Sequence, residues 1–71
     1  MVRAARALLG ISQQELAAEA GVSRSAIADL ERGAKIPQAS TVRCIVSALE
    51  LKGIIFVVED GGVIGVSKRS S

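Results

Sequence analysis

Arg24, Ser25, Asp29 and Arg32 bring two guanidinium groups, a hydroxyl and a carboxylate into one short stretch. At 100° per residue a helix over this stretch divides cleanly. Ala26, Ile27 and Leu30 fall on one side, and Arg24, Ser25, Ala28, Asp29 and Arg32 on the other. The outward set is hydrogen-bonding chemistry. A planar guanidinium pairs bidentately with two acceptors such as guanine O6 and N7, a hydroxyl gives or accepts one bond, and a carboxylate accepts from an amino group such as cytosine N4. Asp29 has a second reading, in which it only steers Arg24. For all three the plain alternative is a solvated helix face. Reactive chemistry is missing. There is no His, one Cys, no pair of catalytic carboxylates and no phosphate-cradling glycine loop, since Gly61-Gly62 is a turn signal alone. This argues against catalysis, and it excludes a disulfide framework within the chain and a Cys/His zinc site.

Two helical patterns meeting at Gly21 must position these groups. The first runs Gln13 to Ala20, with Ser12 as N-cap and Glu15 at the capping-box spacing. The second starts after Ser23, another cap residue, and ends at Arg32 before Gly33. Gly21 stands where the chain must turn sharply, in a positive φ that only Gly adopts at little cost. Ala17 is small enough for a close helix crossing, and Ile27 and Leu30 pin the second helix to a core. An ordinary αα-hairpin is satisfied by any one of these residues; the whole set in register is a helix-turn-helix signature.

Ser12-Gln13-Gln14-Glu15-Leu16-Ala17, Gly21-Val22-Ser23 and Ile27-Ala28-Asp29-Leu30-Glu31-Arg32-Gly33 resemble the phage-repressor/Cro-like (XRE-type) DNA-binding domains. Pro37 and the helical run Thr41 to Leu49 continue the resemblance, which covers about Arg3 to Leu51. It implies that the outward side of the second helix enters the major groove, with Ser23, Arg24, Ser25 and Asp29 as base contacts. It implies a phosphate contact at Gln13, where a helix N-terminus helps. Arg32, Lys35 and Arg43 are further phosphate candidates, and such contacts position the protein without reading sequence. The resemblance also implies that Arg6 and Glu31 bridge the first helix to the recognition helix.

A chain of 71 residues is one small domain with a marginal core, so oligomerisation is a natural source of stability. Nine basic and seven acidic residues give net +2 and a pI of 9.2, compatible with nucleic acid but not diagnostic of it. Phe56, the one aromatic residue, provides no stacking platform for single strands. The apolar run Ile54 to Val58 is too short to span a bilayer, and no signal peptide is visible. No metal or cofactor is expected, and the composition suits a reducing cytoplasm.

Val2 to Gly10 reads as a helix whose first turn, lacking a cap, should fray. Gly33 to Gln38 is a loop. From Gln38 or Ser40 a fourth helix carries the stripe Val42, Ile45, Val46 and Leu49, which closes the core. A second apolar face remains in Cys44, Ala48 and Leu51. Cys44 is most simply a small buried hydrophobe, a reactive thiol being the alternative. Gly53 ends the helix. Ile54 to Val58 is a strand, Asp60-Gly61-Gly62 a turn, Val63 to Val66 a second strand, and Ser67 to Ser71 a basic frayed tail.

The expected fold is therefore mainly α: a compact four-helix repressor-like domain over 1–52, with a β-hairpin appendage and tail over 53–71. The expected function is that of a sequence-specific DNA-binding transcriptional regulator that represses by occupancy as a homodimer. The alternative is an antitoxin of the same fold, whose partners are DNA and a toxin protein. Ile54 to Val58 is apolar on both faces, so a second copy is expected to cover what the chain's own helices do not. That interface would use Cys44, Leu51, Ile54, Ile55, Phe56, Val57 and Val58, setting two recognition helices about 34 Å apart on successive major grooves. The alternative is a monomer whose hairpin folds over the first helix.

Overall fold

The computed structural model describes residues 1–33 and 38–69. The expected loop Gly33 to Gln38, with Lys35 and Pro37, falls mostly outside the described residues. The elements run α1 (Val2–Leu9), α2 (Gln13–Ala20), α3 (Arg24–Arg32), α4 (Ala39–Leu51), β1 (Ile54–Glu59) and β2 (Gly62–Lys68). The fold is mainly α, with four helices and one antiparallel hairpin.

Local sequence sets the helix ends. Ser12 Oγ accepts from the Glu15 N–H at 3.0 Å, and the Glu15 carboxylate accepts from the Ser12 N–H at 3.0 Å, a reciprocal capping box. The Ser12 backbone bond, helped by the hydroxyl, holds the Glu15 carboxyl below its ordinary range. Gly21 takes φ 70° at the turn, and the Val22 N–H closes on Ala17 O at 3.0 Å. Ser23 Oγ then accepts from the Ala26 N–H at 3.1 Å and starts α3. The first turn of α1 has no side-chain cap, and the Ala5 N–H donates to Met1 O at 2.9 Å.

Leu16, Ile27, Ile45 and Leu49 are fully buried, with Ala5, Ala17, Ala48 and Ile54 completing the core. Ala17 sits where α2 meets α3, and its small side chain permits that close packing. Val42 and Val46, expected in the core stripe of α4, are half-buried at its margin.

The structure differs from several expectations in the second half of the chain. Cys44 is exposed, not a buried hydrophobe. The α2 helix covers only part of the second apolar face of α4: Ala48 is buried, while Cys44 and the 86 % exposed Leu51 lie beyond its reach. The second strand is longer than Val63–Val66, because Ser67 and Lys68 pair with Ile55 and Ile54. The Arg69 N–H then donates to Gly53 O at 2.7 Å, so the basic segment begins as ordered backbone. The hairpin rests on its own helices, β2 against α1 and β1 against α4, as expected of one of its faces. Ile54, expected at an interface between copies, is 3 % exposed in the core of its own chain, and Phe56 packs half-buried against that core. Ile55, Val57 and Val58 remain exposed.

The hairpin closes through Asp60 (φ 53°) and Gly61 (φ 79°), two successive positive values of the kind a tight hairpin turn requires. Val57 pairs with Gly65 and Val58 with Val63, leaving Ile64 as an unpaired bulge in β2.

Candidate nucleic-acid interface

Ser23, Arg24 and Ser25 are all exposed at the start of α3, free of the core that Ile27 anchors. No ion pair engages Arg24 among the described residues. Asp29 is bonded instead to Arg32, one helical turn on. Geometry explains why it does not steer Arg24: five residues separate the two by about 140° around the helix, against about 60° for three residues. The expected cytosine contact from Asp29 thus competes with a partner inside the chain.

The deepest polar feature links three helices. Arg6 Nε donates to Glu31 Oε2 at 2.6 Å and Arg6 Nη2 to Glu31 Oε1 at 2.9 Å, a bidentate pair between α1 and α3. Arg6 Nη1 also donates to Ile11 O at 3.0 Å. The pair is nearly dry, with side-chain exposures of 17 % for Arg6 and 5 % for Glu31. The Arg6 guanidinium holds the Glu31 carboxyl below the usual carboxylate range; burial opposes this, and Gln13 adds to it. Glu31 in turn raises the Arg6 guanidinium above its ordinary value. Gln13 Nε2 donates to Glu31 Oε1 at 3.1 Å. The Gln13 amide is therefore oriented by a part-buried carboxylate, and its second N–H remains available to another acceptor.

Arg3, Arg6, Gln13, Ala28, Glu31 and Arg32 line one polar cleft of about 360 Å³. Gln13 and Arg32, two of the expected phosphate residues, come together there. Arg43 does not: it lines a separate groove with Glu19, Ala20, Ser40, Cys44, Ser47, Ala48 and Leu51. Lys35 lies outside the described residues. Arg3 is the addition that sequence reading missed. Its signal was available, because Arg3 and Arg6 are three apart and share a helix face.

Residues 2–54 match the helix-turn-helix family model, a span that takes in all four helices and ends on the first residue of β1. The chain belongs to the XRE-type helix-turn-helix family. Comparison with curated proteins gave no match. An XRE-type helix-turn-helix is a DNA-binding regulatory domain, and the cleft lies on the side of this one that carries α3. Among the described residues no helix is long and apolar enough to cross a membrane, and no cluster of His, Cys, Asp and Glu could hold a metal ion.

The XRE-type domain's cleft gives Arg3 a testable role. Arg3→Ala is expected to weaken binding to specific and random duplexes by the same factor. It should also reduce the slope of log K against log salt by about 0.9, one phosphate's worth of released counterion. Titrations at several salt concentrations check this; an unchanged slope would remove Arg3 from the DNA surface.

Proposed function

We propose that the protein is a sequence-specific DNA-binding transcriptional regulator that works in the cytoplasm as a homodimer and represses by occupying its operator. The observation that carries this reading is the exposed start of α3, with Ser23, Arg24 and Ser25 clear of every intrachain ion pair among the described residues. Arg24 reads a guanine, Ser25 adjusts to a neighbouring base, and Ser23, whose oxygen is held as the α3 cap, offers its hydroxyl proton. Asp29 orients Arg32 through Oδ1 and offers its other carboxylate oxygen to a cytosine amino group. Gln13, Arg32, Lys35 and Arg3 hold phosphates, and Arg43 takes one only where the duplex reaches the α2–α4 groove.

Arg24→Ala is expected to cost about 1–3 kcal/mol on the best site and to relax preference at one base pair. Arg32→Ala and Lys35→Ala should instead weaken all sequences alike. Selection from a random duplex pool, followed by titration of the winning site and a scrambled one, checks both. Equal losses on the two duplexes for Arg24→Ala would sink its base assignment.

The hairpin over 53–71 serves as the dimerisation unit in this reading. One observation favours the second reading, an antitoxin. A largely apolar groove of about 500 Å³ lies open between α1, α4 and the hairpin, lined by Val2, Val42, Val46, Phe56, Val58 and Val63 among others. A toxin segment seated there would protect these positions in a complex with a protein encoded beside this one. A regulator acting alone would leave them open with its operator bound.

A further inference from the structure

The hairpin has two outer edges, and they differ in chemistry. The β2 strand rests against α1, carries Lys68, contains Gly62 and Gly65, and is broken by the Ile64 bulge. Charge, glycine and bulges are the devices that discourage a strand edge from pairing. The β1 strand has none of them between Ile54 and Val58: no charge, no glycine, no proline and no bulged residue. Its outward side chains Ile55 and Val57 are exposed, although they occupy the middle of the strand.

From this asymmetry we infer that β1 pairs edge to edge, antiparallel, with β1 of a second copy, giving one four-stranded sheet in the order β2-β1-β1-β2. The inference rests on the homodimer reading above and adds its geometry. The two-fold axis passes through Phe56, because only that register sets all five apolar residues of the run opposite apolar residues. Ile54 then faces Val58 of the second copy, Ile55 faces Val57, and Phe56 faces itself. Glu59 falls opposite Gly53, so the two Glu59 carboxylates stay apart. Ile55 and Val57 become central cross-strand pairs, the arrangement that stabilises a sheet, and lose their solvent on the flank. An axis perpendicular to the sheet keeps the helices of both copies on one side of it, so both recognition helices lie on that side. The contact is isologous and closes at two copies, since each chain has one unguarded edge.

The test uses the full chain with Cys44→Ser as background. Ile55→Cys and Val57→Cys are made separately, with Ile64→Cys as a control on β2. Mild oxidation of an equimolar mixture of the first two should give a mixed disulfide between copies in excess of either self-linked product, and the Ile64→Cys control should stay uncrosslinked. Ile55→Lys with Val57→Lys places like charges directly opposite one another twice, so sedimentation should show dimer dissociation about tenfold easier or more. Both positions are solvent-exposed, so circular dichroism of this variant should match the parent. A stable dimer that crosslinks through Ile64→Cys, or through the native Cys44, and not through the 55–57 mixture would overturn the edge geometry while keeping the homodimer. A full chain that sediments as a monomer at micromolar concentration would overturn both, leaving the separate Arg24 test of DNA reading intact.

Discussion

Glu31→Ala is expected to lower the stability of the domain by about 1–3 kcal/mol, the cost of leaving a part-buried hydrogen-bonding group without its partner. The loss comes less from the missing attraction than from what stays behind. Arg6 is left with a part-buried guanidinium and Ile11 O as its one remaining acceptor among the described residues. Replacing both partners by apolar groups, as in Arg6→Met with Glu31→Leu, should recover most of the loss, because no unpaired charge remains. Urea unfolding of the three variants at neutral pH checks the order. The pair also sets an acid limit. The folded Glu31 carboxyl titrates below its unfolded value because Arg6 favours the charged form. Its stabilisation is therefore complete above the ordinary carboxylate range and is lost as pH falls through the depressed folded value. In Glu31→Gln this part of the acid sensitivity should disappear. If single and double variants are equally destabilised, the pair is not acting as a desolvated unit.

Leu16→Ala is expected to cost about 2–5 kcal/mol, the range for emptying a fully buried leucine site. Leu16 has no exposed surface and stands on α2, which packs against both α3 and α4. Collapse into the gap is opposed from two sides, which favours the upper half of that range. A domain of this size has only about 4–10 kcal/mol in total. The variant should melt at a much lower temperature and lose DNA binding through unfolding, with partial rescue at low temperature or high protein concentration. Thermal melts followed by circular dichroism test this. A shift of only a few degrees would mean that the core around Leu16 is plastic.

The parts of this fold legible in the sequence are those that local chemistry decides. Ser12 with Glu15, Ser23, and the glycine at position 21 act within a few residues of themselves, and the structure shows each at its helix end. Ile27 and Leu30 lie one helical turn apart and mark the core face of α3, and Ala17 supplies the small residue on α2. The misses share a different cause. The exposure of Cys44 depends on how far α2 extends across α4, which no periodicity of α4 records. The engagement of Gln13 with Glu31 joins residues on two helices and requires their packing to be known. Asp29 and Arg3 are another matter. Asp29 bonds Arg32 three residues away, and Arg3 lines the same cleft as Arg6 three residues on, so the same-face rule for helices could have found both.

The α1 helix is wedged between the hairpin and α3, and this has a consequence for local opening. β2 leans on α1, Arg6 of α1 grips Glu31, and Glu31 grips Gln13. When the hairpin lifts, α1 loses its outer support, and the clasp on the Gln13 amide loosens with it. Amide hydrogens of β2 and of α1 should therefore exchange with solvent through one shared fluctuation, while α2 and α3 exchange more slowly. Linkage makes the traffic two-way: a duplex that immobilised Gln13 would damp the same fluctuation, and so steady the hairpin.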